Sequence, residues 1–194
     1  MTTAPDAADF PVLWPVPTRW ADNDHYGHVN NVAYYSFFDT AVNGWLMSAT
    51  GTDIRELDAV GVVAETSCRF LAQLSFPDEL RVGIAVEKLG TSSIVYSLAV
   101  FRVAGRPEAG RDGAGRPEAG RDGAGRPEAG RDGAGRPEAG RDGSGGPEAG
   151  RDDNRDELVA AASGRFVHVY VDSATRRPVP IPPDIRAVVE PLTA

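Results

Sequence analysis

The chain has 194 residues, a formal charge of −8 and 41% hydrophobic residues, enough for one domain with a real core. An acidic chain without a Lys/Arg cluster offers no surface for a nucleic-acid backbone, so a nucleic-acid partner is not expected, and a phosphate-bearing ligand would need a local basic spot. A single cysteine, Cys68, excludes an intrachain disulfide. No apolar run reaches about 18 residues, so no membrane insertion is expected. The start, MTTAPDAADFPVLWP, lacks the basic and apolar regions of a secretory signal. The expected location is the cytoplasm.

Residues 1–13 are small, acidic and Pro-bearing and read as a flexible tail. Val16–Asp22 reads as a short strand entered through Pro15 and Pro17. The stretch NDHYGHVNN is rich in turn formers and reads as a loop. Tyr34, Phe37, Phe38, Ala41, Val42 and Trp45 then recur at the helical period, one broad apolar stripe. Asn30 or Asn31 is the candidate N-cap and Gly51 the candidate stop. The stripe is read as core packed on a sheet.

Alternation at period two follows. It predicts strands over Val62–Leu74, Leu80–Leu89, Ser92–Val103 and Glu157–Val171. Phe76-Pro77-Asp78 and Leu89-Gly90-Thr91 are turns between the first three. The tail begins as a Pro-rich loop and can end in a short helix at Asp184–Val189. One long apolar helix with about five antiparallel strands predicts an α+β domain, the sheet wrapped round the helix.

Between the last two strand-like runs lies GRPEAGRDGA, repeated with a period of ten from 105 and decaying by 154. Over 105–151 nine Arg balance five Glu and four Asp, so the −8 lies on the remaining 147 residues. Nothing apolar larger than Ala occurs there. Such a segment cannot bury enough surface to offset the entropy of ordering it, and reads as disordered. Residues 14–104 and 155–194 are accordingly read as one domain, with 105–154 inserted at a hairpin tip, where added length costs little. A partner-binding arm is the other reading of the repeat.

The segment Arg19–Asp39 reads RWADNDHYGHVNNVAYYSFFD. Asp22, Asp24 and Gly27, followed by His28-Val29-Asn30-Asn31 and an aromatic-rich helix, resemble the 4-hydroxybenzoyl-CoA thioesterase-like family of the hotdog-fold superfamily. AETSCRFLAQLSFPDEL and VEKLGTSSIVY resemble that family's later strands. The resemblance covers roughly 14–104 and 157–172, and the repeat has no counterpart in it.

Thioester hydrolysis needs a group that attacks or activates water, and donors aimed at the developing oxyanion. A carboxylate before a helix and the free N–H groups of the helix start can supply them. The resemblance implies this division: Asp24 as nucleophile or general base, the N–H near Asn31 as carbonyl-polarising donor, and Gly27 allowing close backbone approach. Asp24 read alone is also an ordinary Asx-turn residue. His28 is expected to orient the loop and Asn30 to cap the helix, both beside substrate. Asp39 is either a polar-face residue or a supporting acid.

The resemblance further implies a homodimer or tetramer, a pantetheine tunnel between subunits and a phosphate contact at the surface. Lys88, Thr91 and Ser92 stand at the matching turn, and Arg69 is another candidate. His25 and His28 with one nearby acid make a poor metal set, so no metal is expected. No cofactor is expected beyond the CoA of the substrate. Cys68 reads as a small buried hydrophobe. Acyl-CoA hydrolysis is the expected activity. The alternatives are a non-catalytic acyl-thioester-binding module, or hydrolysis on an acyl carrier protein, which an acidic surface disfavours.

Overall fold

The computed structural model describes residues 4–104 and 158–193. The strands are β1 (Val12–Pro17), β2 (Ala59–Phe70), β3 (Glu79–Leu89), β4 (Ser93–Val103) and β5 (Leu158–Asp172); the helices are α1 (Asn31–Thr50) and α2 (Pro183–Val189). The strands form one antiparallel sheet in the order β1-β3-β4-β5-β2. A five-stranded antiparallel sheet with one long helix is consistent with the hotdog arrangement.

α1 forms where the apolar period predicts it. The Asn30 side chain accepts from the Val32 N–H at the N-cap, and Gly51 closes the helix at φ 64°. Every residue of the predicted stripe is buried, Phe38, Ala41 and Val42 completely. They share one core with Val82, Ile84, Tyr96, Leu98 and Phe166 of the sheet. Gly164 of β5 makes the close approach possible. A Cβ there would stand 2.5 Å from Phe38 Cε2.

Three expectations change. Residues 7–13 are not a loose tail. Asp6 caps a 3-10 turn at Ala7–Asp9, Phe10 is buried with Ala85, Ala99 and Phe101 in a second cluster, and β1 already pairs with β3 from Val12. Local composition hid this because the partners of Phe10 lie over seventy residues away. The first strand ends at Pro17 instead of running to Asp22, because the chain turns through a 3-10 helix at Trp20–Asp22. The prolines are tolerated because β1 is an edge strand. β2 stops at Phe70 rather than Leu74. There the Leu71 and Ala72 N–H groups both turn to the Ala161 carbonyl, and Leu74 enters the core.

The predicted repeat, 105–154, lies outside the described residues. Its flanks pair with each other, Val103 opposite Leu158. No helix among the described residues is long and apolar enough to cross a membrane.

Candidate active site

Between β1 and α1 the chain makes a small closed loop. Asn23 and Val29 form an antiparallel bridge. The Asn30 N–H donates to the Asp22 carbonyl at 2.8 Å and the Asp24 N–H to the His28 carbonyl at 2.7 Å. The tip turns at Gly27, whose φ of 82° suits glycine. Asp22 anchors the neck. Its carboxylate accepts the Arg19 N–H at 2.7 Å and the Arg19 guanidinium at 2.7 Å. Burial works against its ionisation, but these bonds win and hold its carboxyl below the usual range. The far side of the loop is tied down by the Val29 N–H on the Leu74 carbonyl and the Phe76 N–H on Asn23 Oδ1.

Asp24 is half-buried in this frame. Its Oδ1 accepts from the Tyr26 N–H at 2.8 Å and the His28 N–H at 3.3 Å. The Asx-turn reading is therefore correct as geometry. It is compatible with chemistry, because Oδ2 takes no hydrogen bond among the described residues. Two N–H donors fix the carboxylate without consuming it.

Asp24, His28 and Asn31 line one groove of about 430 Å³, with Tyr34, Phe70 and Leu71 among its walls. At the helix start, Asn30 Oδ1 satisfies the Val32 N–H and the Asn30 carbonyl the Ala33 N–H. The Asn31 N–H has no acceptor among the described residues, an orphan donor of the first helical turn. Tyr34, packed edge-on against Phe70, keeps its proton, because burial pushes its hydroxyl up to about 12. Burial likewise raises the Cys68 thiol to about 11, so Cys68 is no thiolate nucleophile at neutral pH.

Other predicted residues lie elsewhere. Asn30 caps the helix outside the groove lining. Asp39 is exposed and accepts from Asn43. Lys88, Thr91 and Ser92 sit at the opposite end of the sheet, one β3 length from the loop, about 34 Å at 3.4 Å per residue. One chain does not bring them to Asp24. Their turn is braced by the C-terminal segment. Arg186 donates to the Gly90 carbonyl and the Ile181 N–H to the Thr91 carbonyl. Among the described residues no group of three or more His, Cys, Asp or Glu side chains could hold a metal ion.

A second cleft, unforeseen in the sequence, lies at that end of the sheet. It measures about 290 Å³ and is lined by Leu46, Ile54, Leu57, Gly61, His168 and Tyr170 among others. The alternation FVHVYVD puts His168 on the apolar face of β5, a signal that could have marked it.

The family model described as the thioesterase-like superfamily matches residues 18–189. No curated protein matches the chain. Among solved structures, the PA5185 protein of Pseudomonas aeruginosa strain PAO1 is 32% identical, with 99% of this chain and 98% of that chain covered and a TM-score of 0.69. A thioesterase from Thermus thermophilus, complexed with coenzyme A and Zn, is 22% identical, with 95% of each chain covered and a TM-score of 0.57. A 1,4-dihydroxy-2-naphthoyl-CoA thioesterase from Synechocystis is 12% identical, with 93% and 96% covered and a TM-score of 0.60. The last two show likeness of fold alone.

Proposed function

The chain belongs to the thioesterase-like superfamily, and from that premise we propose that it hydrolyses acyl-CoA to the free acid and CoA, in the cytoplasm. The observation that carries this reading is the convergence of Asp24 and Asn31 on one groove. Asp24 Oδ2 either deprotonates a water that attacks the thioester carbonyl carbon, or attacks that carbon itself to form an anhydride that water then hydrolyses to the free acid. The Asn31 N–H, at the positive end of α1, takes the oxyanion. CoA leaves as thiol. Gly27, with no side chain, leaves the loop tip open to the thioester, and His28 forms the groove wall beside Asp24.

A second copy completes the site. Among the described residues β2 pairs only with β5, and its length is largely exposed, with Val63, Phe70 and the following Leu71 each more than two-fifths exposed. Such an edge favours a partner. Antiparallel pairing of two β2 strands about a two-fold axis sets the Phe70 end of one against the Ala59 end of the other. The Asp24 groove of one subunit then meets the Lys88–Ser92 turn of its partner. That turn, with one ammonium and two hydroxyls, suits the CoA phosphates. Homodimers, or tetramers built from them, are the expected state.

The test is release of CoA thiol from a panel of short, long and aromatic acyl-CoAs. Turnover is expected with at least one. Asp24→Asn should lower its kcat by about 100-fold or more, the usual effect of losing a general base. Full activity in Asp24→Asn sinks the assignment of Asp24. Saturable CoA-ester binding without thiol release from any ester supports the binding-module reading instead.

A further inference from the structure

The groove that holds Asp24 and Asn31 contains a third polar group, which the hydrolysis described above leaves unused. Tyr34 is 3% exposed, and its hydroxyl makes no hydrogen bond among the described residues. Only two unpartnered side-chain polar atoms there are sealed from solvent, the Tyr96 hydroxyl and His168 Nε2. The Tyr34 hydroxyl is not one of them, so it opens on space, and the space that Tyr34 lines is this groove. Its ring is held from two sides. Phe70 meets it edge-on at 5.0 Å and Phe37 is tilted against it at 6.0 Å, between ring centres. Buried polar groups in native proteins are almost always paired, so the partner of this hydroxyl comes from whatever fills the groove.

Local geometry brings the hydroxyl to the start of α1. Tyr34 and Asn31 stand three residues apart on one helix face, with a rise of about 4.5 Å between them. An aromatic side chain on a helix leans back over the preceding turn, and a phenol is longer than that rise. The hydroxyl therefore reaches the level of the unpartnered Asn31 N–H. It can act only as a donor there. Burial, with Cys68 and Asp78 nearby, pushes its pKa up to about 12, so at neutral pH it carries no charge and takes no proton from water.

We infer that the Tyr34 hydroxyl is a second oxyanion donor of the site, beside the Asn31 N–H. This rests on the proposed hydrolysis. As Asp24 or its water bonds to the carbonyl carbon, the C=O π pair moves onto the oxygen. That oxygen accepts one hydrogen bond from the Asn31 N–H and one from the Tyr34 O–H. The pair returns to the carbon as the C–S bond breaks, and the sulfur leaves as thiolate, to be protonated to the thiol. Tyr34 keeps its proton throughout. Phe70 and Leu71 give the groove apolar walls, against which a preformed donor is worth more than in water.

Tyr34→Phe removes the hydroxyl and keeps the ring that Phe70 and Phe37 pack against. With the best ester of the acyl-CoA panel, kcat should fall by about 100-fold, the usual cost of one oxyanion donor. KM should stay within about twofold, and the melting temperature should not change. A ring-fluorinated tyrosine at this position, a stronger donor, should hold the parental kcat or exceed it. A second readout needs no turnover. Benzoyl-CoA and octanoyl-CoA, isotope-labelled at the carbonyl carbon, are bound to Asp24→Asn and the infrared carbonyl stretch is recorded. Hydrogen bonding lowers that frequency, and adding Tyr34→Phe should raise it again. Parental kcat in Tyr34→Phe, a rise in KM alone, or a fall in kcat together with the melting temperature overturns the inference while leaving hydrolysis standing. So does a carbonyl band that Tyr34→Phe does not move. A band that responds to Tyr34→Phe in a protein that turns over no ester supports the donor contact and overturns hydrolysis.

Discussion

Gly164→Ala tests the approach of α1 to the sheet. The added methyl would stand 2.5 and 2.6 Å from Phe38 Cε2 and Cζ and 2.8 Å from the Ser67 carbonyl oxygen. Neither neighbour can yield easily. Phe38 is wholly buried, and the Ser67 backbone is held by the β2–β5 ladder, where Cys68 stands opposite Gly164. Overpacking of this kind costs about 1–3 kcal/mol. With two rigid obstacles the upper end applies, about 3 kcal/mol, or a fall in melting temperature of about 6–12 °C for a chain of this size. Gly83→Ala is the control. Its methyl would meet Phe10 Cγ at 2.6 Å, but Phe10 precedes β1 and can swing out. Its cost is capped by losing the burial of one Phe, about 2 kcal/mol. Adding Phe10→Ala should therefore make Gly83→Ala nearly silent, while Phe38→Ala cannot rescue Gly164→Ala from Ser67. Urea unfolding at fixed protein concentration measures both cycles. Gly164→Ala within about 0.5 kcal/mol of the parent, the range of an ordinary surface change, refutes the packing argument.

Acid should destabilise the protein through His168. Burial lowers its pKa from 6.5 to about 4, so the unfolded chain binds a proton that the folded chain refuses. The stability is complete above about pH 6.5 and is lost as pH falls from there to about 4. The loss amounts to roughly 3 kcal/mol at 1.36 kcal/mol per pH unit. Its absence in His168→Phe, read from unfolding curves across that window, identifies the group. Removal of residues 105–151 should keep CoA release within about twofold. The β4–β5 connection shortens about eightfold, three doublings, so stability should rise by up to about 2 kcal/mol if that segment is unfolded chain. A loss of stability or activity would show that the repeat makes contacts its composition does not suggest.

The helix was legible because its apolar stripe, its Asn cap and its terminal Gly all agree, and α1 begins and ends where those signals stand. β3, β4 and β5 fall within a residue of the expected limits, since period-two alternation meets a buried face on each. β1 was misplaced because two prolines mask a strand whose register is set by β3. At the candidate site, the loop and the orphan donor at Asn31 follow from local signals. The separation of Lys88, Thr91 and Ser92 from Asp24 does not, because it depends on which end of an eleven-residue strand each occupies. The Gly61, His168 and Tyr170 cluster arises from the β2–β5 register, which sets Gly61 opposite Tyr170; the alternation of β5 marks His168, but only that pairing brings Gly61 to it.

The strand β3 also meets both extremities of the described chain. Val12 stands opposite Ile84, and Thr193 bridges Val86, two residues further along. Val12 and Thr193 thus share one strand, about 7 Å apart along it. The described residues run close to a ring, interrupted where Val103 faces Leu158. A short peptide joining the ends, with the break moved into the repeat, would give a circular permutant with every strand pairing of the sheet retained. The order in which the strands leave the ribosome would change, β5 and α2 preceding β1. The repeat would be divided between the new termini, next to the paired ends of β4 and β5.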